Sequence, residues 1–245
     1  MNMQFRLGVR LGWIIPMLLA TLACVSQSKQ YLYQGNDEYK AGNYDAAAAL
    51  FTQAINADSN NAVAYAHRCL AYTGLGKLDE ALADCDMAVE LDSNNATFYY
   101  NRSSVYGLMG DHDLAISDLD KTISIEPDFS AAYNDRCLSY NEIGDYDKAL
   151  SDCNTAISLD PNCGFGFGNR CLSYLNLGQY DQALADCNKA IELEPDTAVA
   201  YDNRGHVYLQ LGDCPRAKAD FQMAVNLDTD DPIAQHNLEL TSAHC

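Results

Sequence analysis

Positive charge is scarce in this sequence: 15 lysines and arginines stand against 34 aspartates and glutamates over 245 residues, a formal net charge of −19 with a pI near 4.3. A nucleic-acid surface needs a basic footprint, so that class is all but excluded. A permanent membrane span needs about 20 apolar residues, and the one candidate, Leu11 to Ala23, supplies 13 that are mostly apolar. Also missing are a phosphate loop, a Gly-x-Ser-x-Gly elbow, a zincin motif and any Cys-x-x-Cys pair. The five histidines, His67, His112, His206, His236 and His244, fall at unrelated places. A zinc site from Cys214, His244 and Cys245 can be drawn, but no ligand spacing supports it, so no metal, cofactor or catalytic residue is expected. Nothing is low-complexity, and 48% hydrophobic content is that of a folded chain.

The N-terminus carries Arg6 and Arg10 without an acid, then the short apolar stretch, then small residues ending at Cys24. That order is a secretory signal, with an uncleaved anchor as the alternative. Thr21-Leu22-Ala23-Cys24 resembles the lipobox of bacterial lipoproteins, although Thr21 stands where leucine is usual. The resemblance implies removal of residues 1–23, lipidation of Cys24 and a short tether over 24–27. The mature chain would be more acidic still, which suits a body held near a membrane rather than one adhering to anionic lipid.

Self-similarity dominates the rest. Gly42, Gly76, Gly110, Gly144, Gly178 and Gly212 recur every 34 residues, and Ala47, Ala81, Ala115, Ala149, Ala183 and Ala217 follow each glycine by five. The full phase gives six repeats: 28–61, 62–95, 96–129, 130–163, 164–197 and 198–231. An aromatic holds position 4 of each, and tyrosine holds position 11 of repeats two to six. Positions 4, 7, 8 and 11 share one face of a first helix; 20, 24, 27 and 28 share one face of a second. Glycine at 15 supplies the turn, and Pro127, Pro161 and Pro195 follow the second helix. This pattern resembles the tetratricopeptide repeat family over residues 28–231. The resemblance implies an all-α, right-handed superhelical solenoid of six hairpins. Residues 232–245 begin like another first helix, and His236, Asn237 and Glu239 suit a solvating cap.

Ten cysteines are many for a reducing compartment. Cys69, Cys137 and Cys171 occupy position 8 of repeats two, four and five, and Cys85, Cys153 and Cys187 occupy position 24 of the same repeats. The other repeats have neither: Gly35, Ser103 and Gly205 pair with Phe51, Leu119 and Phe221. In an antiparallel hairpin, places 8 and 24 lie opposite each other, so three intra-hairpin disulfides are expected, each stabilising by roughly 3 kcal/mol. The alternative is volume compensation by reduced thiols. Cys214 with Cys245 is a further candidate staple, and Cys163 is left over. Arg68, Arg102, Arg136, Arg170 and Arg204 at position 7 accompany Asp84, Asp118, Asp152, Asp186 and Asp220 at position 23, with neither in repeat one. Pairing within hairpins satisfies all ten groups, so structural ion pairs are predicted.

In the resembling family, first-helix positions 2, 5, 6, 9, 12 and 13 line a concave groove that holds an extended peptide or a partner helix. Here position 6 gives His67, Asn101, Asp135, Asn169 and Asn203, flanked by Leu70, Leu138 and Leu172 at position 9 and Leu209 at position 12. Amides donate and accept at once, so this ladder could hold a peptide backbone; the alternative is an ordinary soluble helix surface. Lys29 is the only basic match to the carboxylate grip of chaperone-tail binders. The expectation is a non-enzymatic scaffold of the cell envelope, reaching the membrane through an N-terminal lipid, binding another protein and no nucleic acid. A self-associating structural module and an intracellular adaptor with an uncleaved anchor are the competing classes.

Overall fold

The computed structural model describes the backbone of residues 11–244 and the side chains of residues 25–241. These residues form 13 α-helices and no strand. First helices are α1 (Leu11–Lys40), α3 (Ala62–Gly74), α5 (Ala96–Met109), α7 (Ser130–Glu142), α9 (Gly164–Asn176), α11 (Ala198–Gln210) and the terminal α13 (Pro232–His244). Second helices are α2 (Tyr44–Ala57), α4 (Leu78–Leu91), α6 (His112–Ile125), α8 (Tyr146–Leu159), α10 (Tyr180–Leu193) and α12 (Cys214–Leu227). The expected all-α solenoid of helical hairpins is the fold.

The chain divides inside α5 into two bodies, one ending at Val105 and the other beginning at Tyr106. In the N-terminal body α1 pairs with α2 and α3 with α4, while α2 packs on α3. In the C-terminal body α7 pairs with α8, α9 with α10 and α11 with α12, and first helices α7, α9 and α11 pack directly in succession. Helix α13 closes this body against α12.

Each hairpin turns at a glycine whose φ lies between +70° and +82°, a region that L side chains avoid. The main chain explains the demand. Gly76 N–H donates to the Thr73 carbonyl at 3.0 Å and Lys77 N–H to the Tyr72 carbonyl at 2.9 Å. That double bond caps the last carbonyls of α3 and requires a left-handed residue at Gly76. The alanines five residues on are buried, and Ala54, Ala88, Ala156, Ala190 and Ala224 at position 27 are buried with them. Small residues on the second helix let the backbones approach.

The two helices of a hairpin approach closely at positions 8 and 24. Gly35 and Gly205 face the fully buried Phe51 and Phe221, and a Cβ on either glycine would lie 2.5 Å and 2.7 Å from the ring. Phenylalanine here is possible only because its partner has no side chain.

Residues 24–27, read as a tether, are instead helical within α1. The cap is not purely solvating: Asn237 turns inward to Asp202, while Ile233 is 66% exposed. The signal segment 1–23 and Cys24 lie outside the residues whose side chains are described, and among the described residues no helix is long and apolar enough to cross a membrane.

Replacing Gly205 by Ala should lower stability by about 1–3 kcal/mol through overpacking. Adding Phe221→Leu to that variant should recover part of the loss, since repeat three combines Ser103 with Leu119 at the same positions. Urea denaturation of the single and double variants checks both.

Candidate functional site

The cysteine positions are decided by helix approach. Cys69–Cys85, Cys137–Cys153 and Cys171–Cys187 are bonded across their hairpins with Cα separations of 5.5, 5.5 and 5.4 Å. All six are fully buried. Cys214 is also disulfide-bonded, and its expected partner, Cys245, lies outside the described residues. Cys163, half-buried at the start of α9, is the free thiol among the described residues. No group of His, Cys, Asp or Glu among the described residues could hold a metal ion.

The arginines do more than the predicted pairing. In four repeats the guanidinium forks onto its own hairpin's aspartate: Arg68 on Asp84, Arg136 on Asp152, Arg170 on Asp186 and Arg204 on Asp220, with Nε and Nη2 at 2.6–2.8 Å. Arg102 and its expected partner Asp118 belong to different bodies. The remaining nitrogen, Nη1, reaches back to position 25 of the preceding repeat: Thr52, Asp86, Asp120, Asn154 and Asn188 in turn. Sequence reasoning missed this second contact, although its 16-residue offset matches that of the first.

Aromatic rings close the cage. Arg68 Cζ lies 5.7 Å from the centroids of Tyr65 and Tyr72, and Arg204 lies 5.6 and 5.8 Å from Tyr201 and Tyr208. Positions 4 and 11 thus stack on the cation one helical turn before and after it. Hydrogen bonds donated to the aspartates hold these guanidinium groups protonated still more firmly than usual, against the opposing effect of burial. The hydrogen-bonded members of the cluster are engaged within the protein, where they position one hairpin against the next.

Position 6 departs from the expected ladder. Asn169 Nδ2 donates to Asn134 Oδ1 at 3.0 Å, Asn203 Nδ2 to the Gly168 carbonyl at 3.5 Å, and Asn237 Nδ2 to Asp202 Oδ1 at 2.8 Å. Each amide fastens one first helix to its predecessor. Asp135 accepts from the neighbouring Asn134, and Asn101 is buried. His67 binds Asn36 Oδ1 at 2.5 Å and packs edge-on against Phe51, its imidazole pulled below the usual range by burial. The amides are therefore spent on inter-helix bonds, because packed first helices bring position 6 within reach of positions 5 and 9 of the preceding repeat.

What the first-helix face presents instead is apolar. Leu138 and Leu240 at position 9 are exposed, and Leu70, Leu172 and Leu209 are half-buried. Position 2, which carries none of the predicted site residues, is more open: Phe165 is 55%, Val199 62% and Ile233 66% exposed. The signal was available, since these residues are apolar yet fall outside the core phase of 4, 7, 8 and 11.

Hairpins of this geometry at a 34-residue period match known models along nearly the whole array. The ETO1 C-terminal domain model matches residues 29–166, and Tetratricopeptide repeat models match 165–197 and 198–231. The chain belongs to the tetratricopeptide repeat family, and residues 29–166 to the ETO1 C-terminal domain family. A curated relative is the human (Homo sapiens) small glutamine-rich tetratricopeptide repeat-containing protein beta, 38% identical over 63 residues, or 26% of this chain and 21% of that protein. The chain thus spans about a fifth of that relative's length. Among solved structures, a chain of the APC/C hetero-tetramer Cut9-Hcn1 superposes with a TM-score of 0.80 at 16% identity, over 94% of this chain and 46% of that one. YrrB, a tetratricopeptide repeat protein with an unusual peptide-binding site, gives 0.55 at 24% identity, over 77% and 97%. Tetratricopeptide repeats bind other proteins or peptides.

Breaking the caged ion pair of this repeat protein should cost far more than a surface pair. Asp186→Asn leaves Arg170 partly desolvated without its counter-charge, for a loss of about 3 kcal/mol in urea denaturation. Arg170→Lys should not restore stability, since a point charge cannot fork.

A pH effect follows from His67. Its folded-state affinity for a proton is below that of an unfolded histidine near 6.5. The unfolded chain therefore takes up the proton first, and stability is complete above that value and falls as pH drops below it. Thermal melts between pH 7 and 5 should show this decline, and His67→Gln should flatten it.

Proposed function

We propose that this protein is a non-enzymatic scaffold of the cell envelope, tethered through a lipid on Cys24, that captures a partner protein on its first-helix face. The observation that carries the reading is the division of labour on those helices. The repeating polar and charged groups at positions 6 and 7 are occupied within the array, whereas the apolar side chains of Phe165, Val199, Ile233 and Leu138 are open to solvent. Exposed apolar residues aligned on successive helices are what a partner buries.

The compartment reading rests on chemistry. Buried disulfides within three hairpins persist where thiols are oxidised, and the basic, short apolar N-terminus ending at Cys24 suits export with lipidation. The clustered titratable groups form a structural cage, which supports a binding role over catalysis. An extended peptide or an apolar-faced helix fits the surface. The residue after Cys24 is Val25 and not aspartate, which favours the outer membrane.

Cross-linking and co-purification from fractionated envelope extracts tests the whole reading. Wild-type protein should sit in the membrane fraction with a partner. The double variant Phe165→Ser, Val199→Ser should remain there and lose it, and Cys24→Ala should move to the soluble fraction. Recovery of self alone would favour a self-associating module instead.

A further inference from the structure

The C-terminal body has a second regular apolar feature, away from the first-helix face. Position 14, the residue before each left-handed glycine, is Met109, Ile143, Leu177 and Leu211, and these are 37, 46, 36 and 45% exposed. Nothing in the hairpin turn requires an apolar side chain there, since the turn is closed by main-chain bonds: Gly144 N–H to Asn141, and Asp145 N–H to Tyr140. The four residues stand at the same corner of successive hairpins. A cleft of about 320 Å³ separates two such corners, with Gly110 to Leu114 on one side and Ile143 on the other.

The fringe of this edge is acidic. Asp113, Asp147 and Asp181 at position 18 are exposed in the first turn of the second helix, just across the glycine turn from the apolar residues. Asp145 and Asp213 at position 16 are each matched by a cation of their own turn, Lys148 and Arg216 at 2.6 Å. The position-18 row keeps its negative charge, on a protein whose formal net charge is −19.

We propose that the turn edge of the C-terminal body docks a basic amphipathic helix from a partner protein. Charge selects the occupant. A second copy of this chain would bring the same acidic fringe, and an anionic lipid surface would be repelled in the same way. A partner carrying lysine or arginine around an apolar stripe satisfies both rows. Periodicity selects the helix: directly packed helices lie about 8–10 Å apart, and residues seven apart on an α-helix are separated by about 10.5 Å. Successive corners, carried by the packed helices α7, α9 and α11, therefore meet one apolar residue every two turns. This surface is independent of the first-helix face.

Fluorescence anisotropy with a dye-labelled synthetic peptide tests it on the full chain. The probe is a helical peptide of about 20 residues with leucine at heptad spacing and lysine elsewhere. Controls are the same composition with leucines scrambled, and a version with glutamate for lysine. The lysine peptide should bind and weaken as salt is raised, and both controls should bind at least about tenfold less tightly. The triple variant Ile143→Gln, Leu177→Gln, Leu211→Gln should weaken the lysine peptide by about tenfold while leaving the circular dichroism melt in place. Asp147→Asn with Asp181→Asn should reduce the salt dependence. Phe165→Ser with Val199→Ser should leave the affinity unchanged. Equal binding of the scrambled peptide, unchanged affinity in the triple variant, or loss in the Phe165 and Val199 variant would each overturn the assignment.

Discussion

Everything in this fold depends on how closely the two helices of a hairpin approach opposite positions 8 and 24. Where Cα atoms stand about 5.5 Å apart, as at Cys137 and Cys153, there is space for little beyond two sulfurs. Repeats two, four and five fill it with a disulfide, and repeats one and six with a phenyl ring against a bare glycine backbone. These are different chemistries for one volume. The sulfur solution also constrains the unfolded chain, while the Phe–Gly solution works only through packing. The covariation therefore reports a steric requirement first and a compartment second.

Once the hairpin spacing is fixed, the caged arginine sets the spacing between hairpins. Arg136 forks onto Asp152 of its own hairpin and reaches Asp120 of the one before, so one side chain ties three helices. The stacked tyrosines restrict its rotamer, and the aspartate restricts its plane. Asparagines at position 6 add a second tie between successive first helices. Within each body, repeats thus contact their neighbours through recurring bonds, which is how an array built from nearest-neighbour contacts stays in register.

The fold was legible because the period, the turn glycines and the small residues are all local demands repeated six times. The intra-hairpin pairings at 7 and 23, and at 8 and 24, were legible for the same reason: absence in the same repeat couples two columns. The ligand face was not. An asparagine at position 6 reads alike whether it meets a peptide or the preceding helix, and only the packed distance from Asn169 to Asn134 distinguishes them. The contact from Arg204 to Asn188 was hidden because position 25 varies among threonine, aspartate and asparagine. Any of these accepts a hydrogen bond, so no single residue type marks the column.

The same logic separates the two exposed surfaces. A column that builds the array must accept from or donate to a fixed partner, and its chemistry is therefore restricted, as at positions 7 and 23. A column that faces solvent has no such restriction, and apolar character there has to be explained by something outside the hairpin. Positions 2 and 14 are both of this kind, yet their surroundings differ. Val199 and Phe165 lie along helices joined by asparagine amides, one of which meets Asp202, whereas Ile143 shares a cleft with Asp111 and Asp113. An acidic fringe selects a basic partner. On the proposed reading, two faces of one array would hold two different proteins at once, which is what a scaffold must do to bring them together.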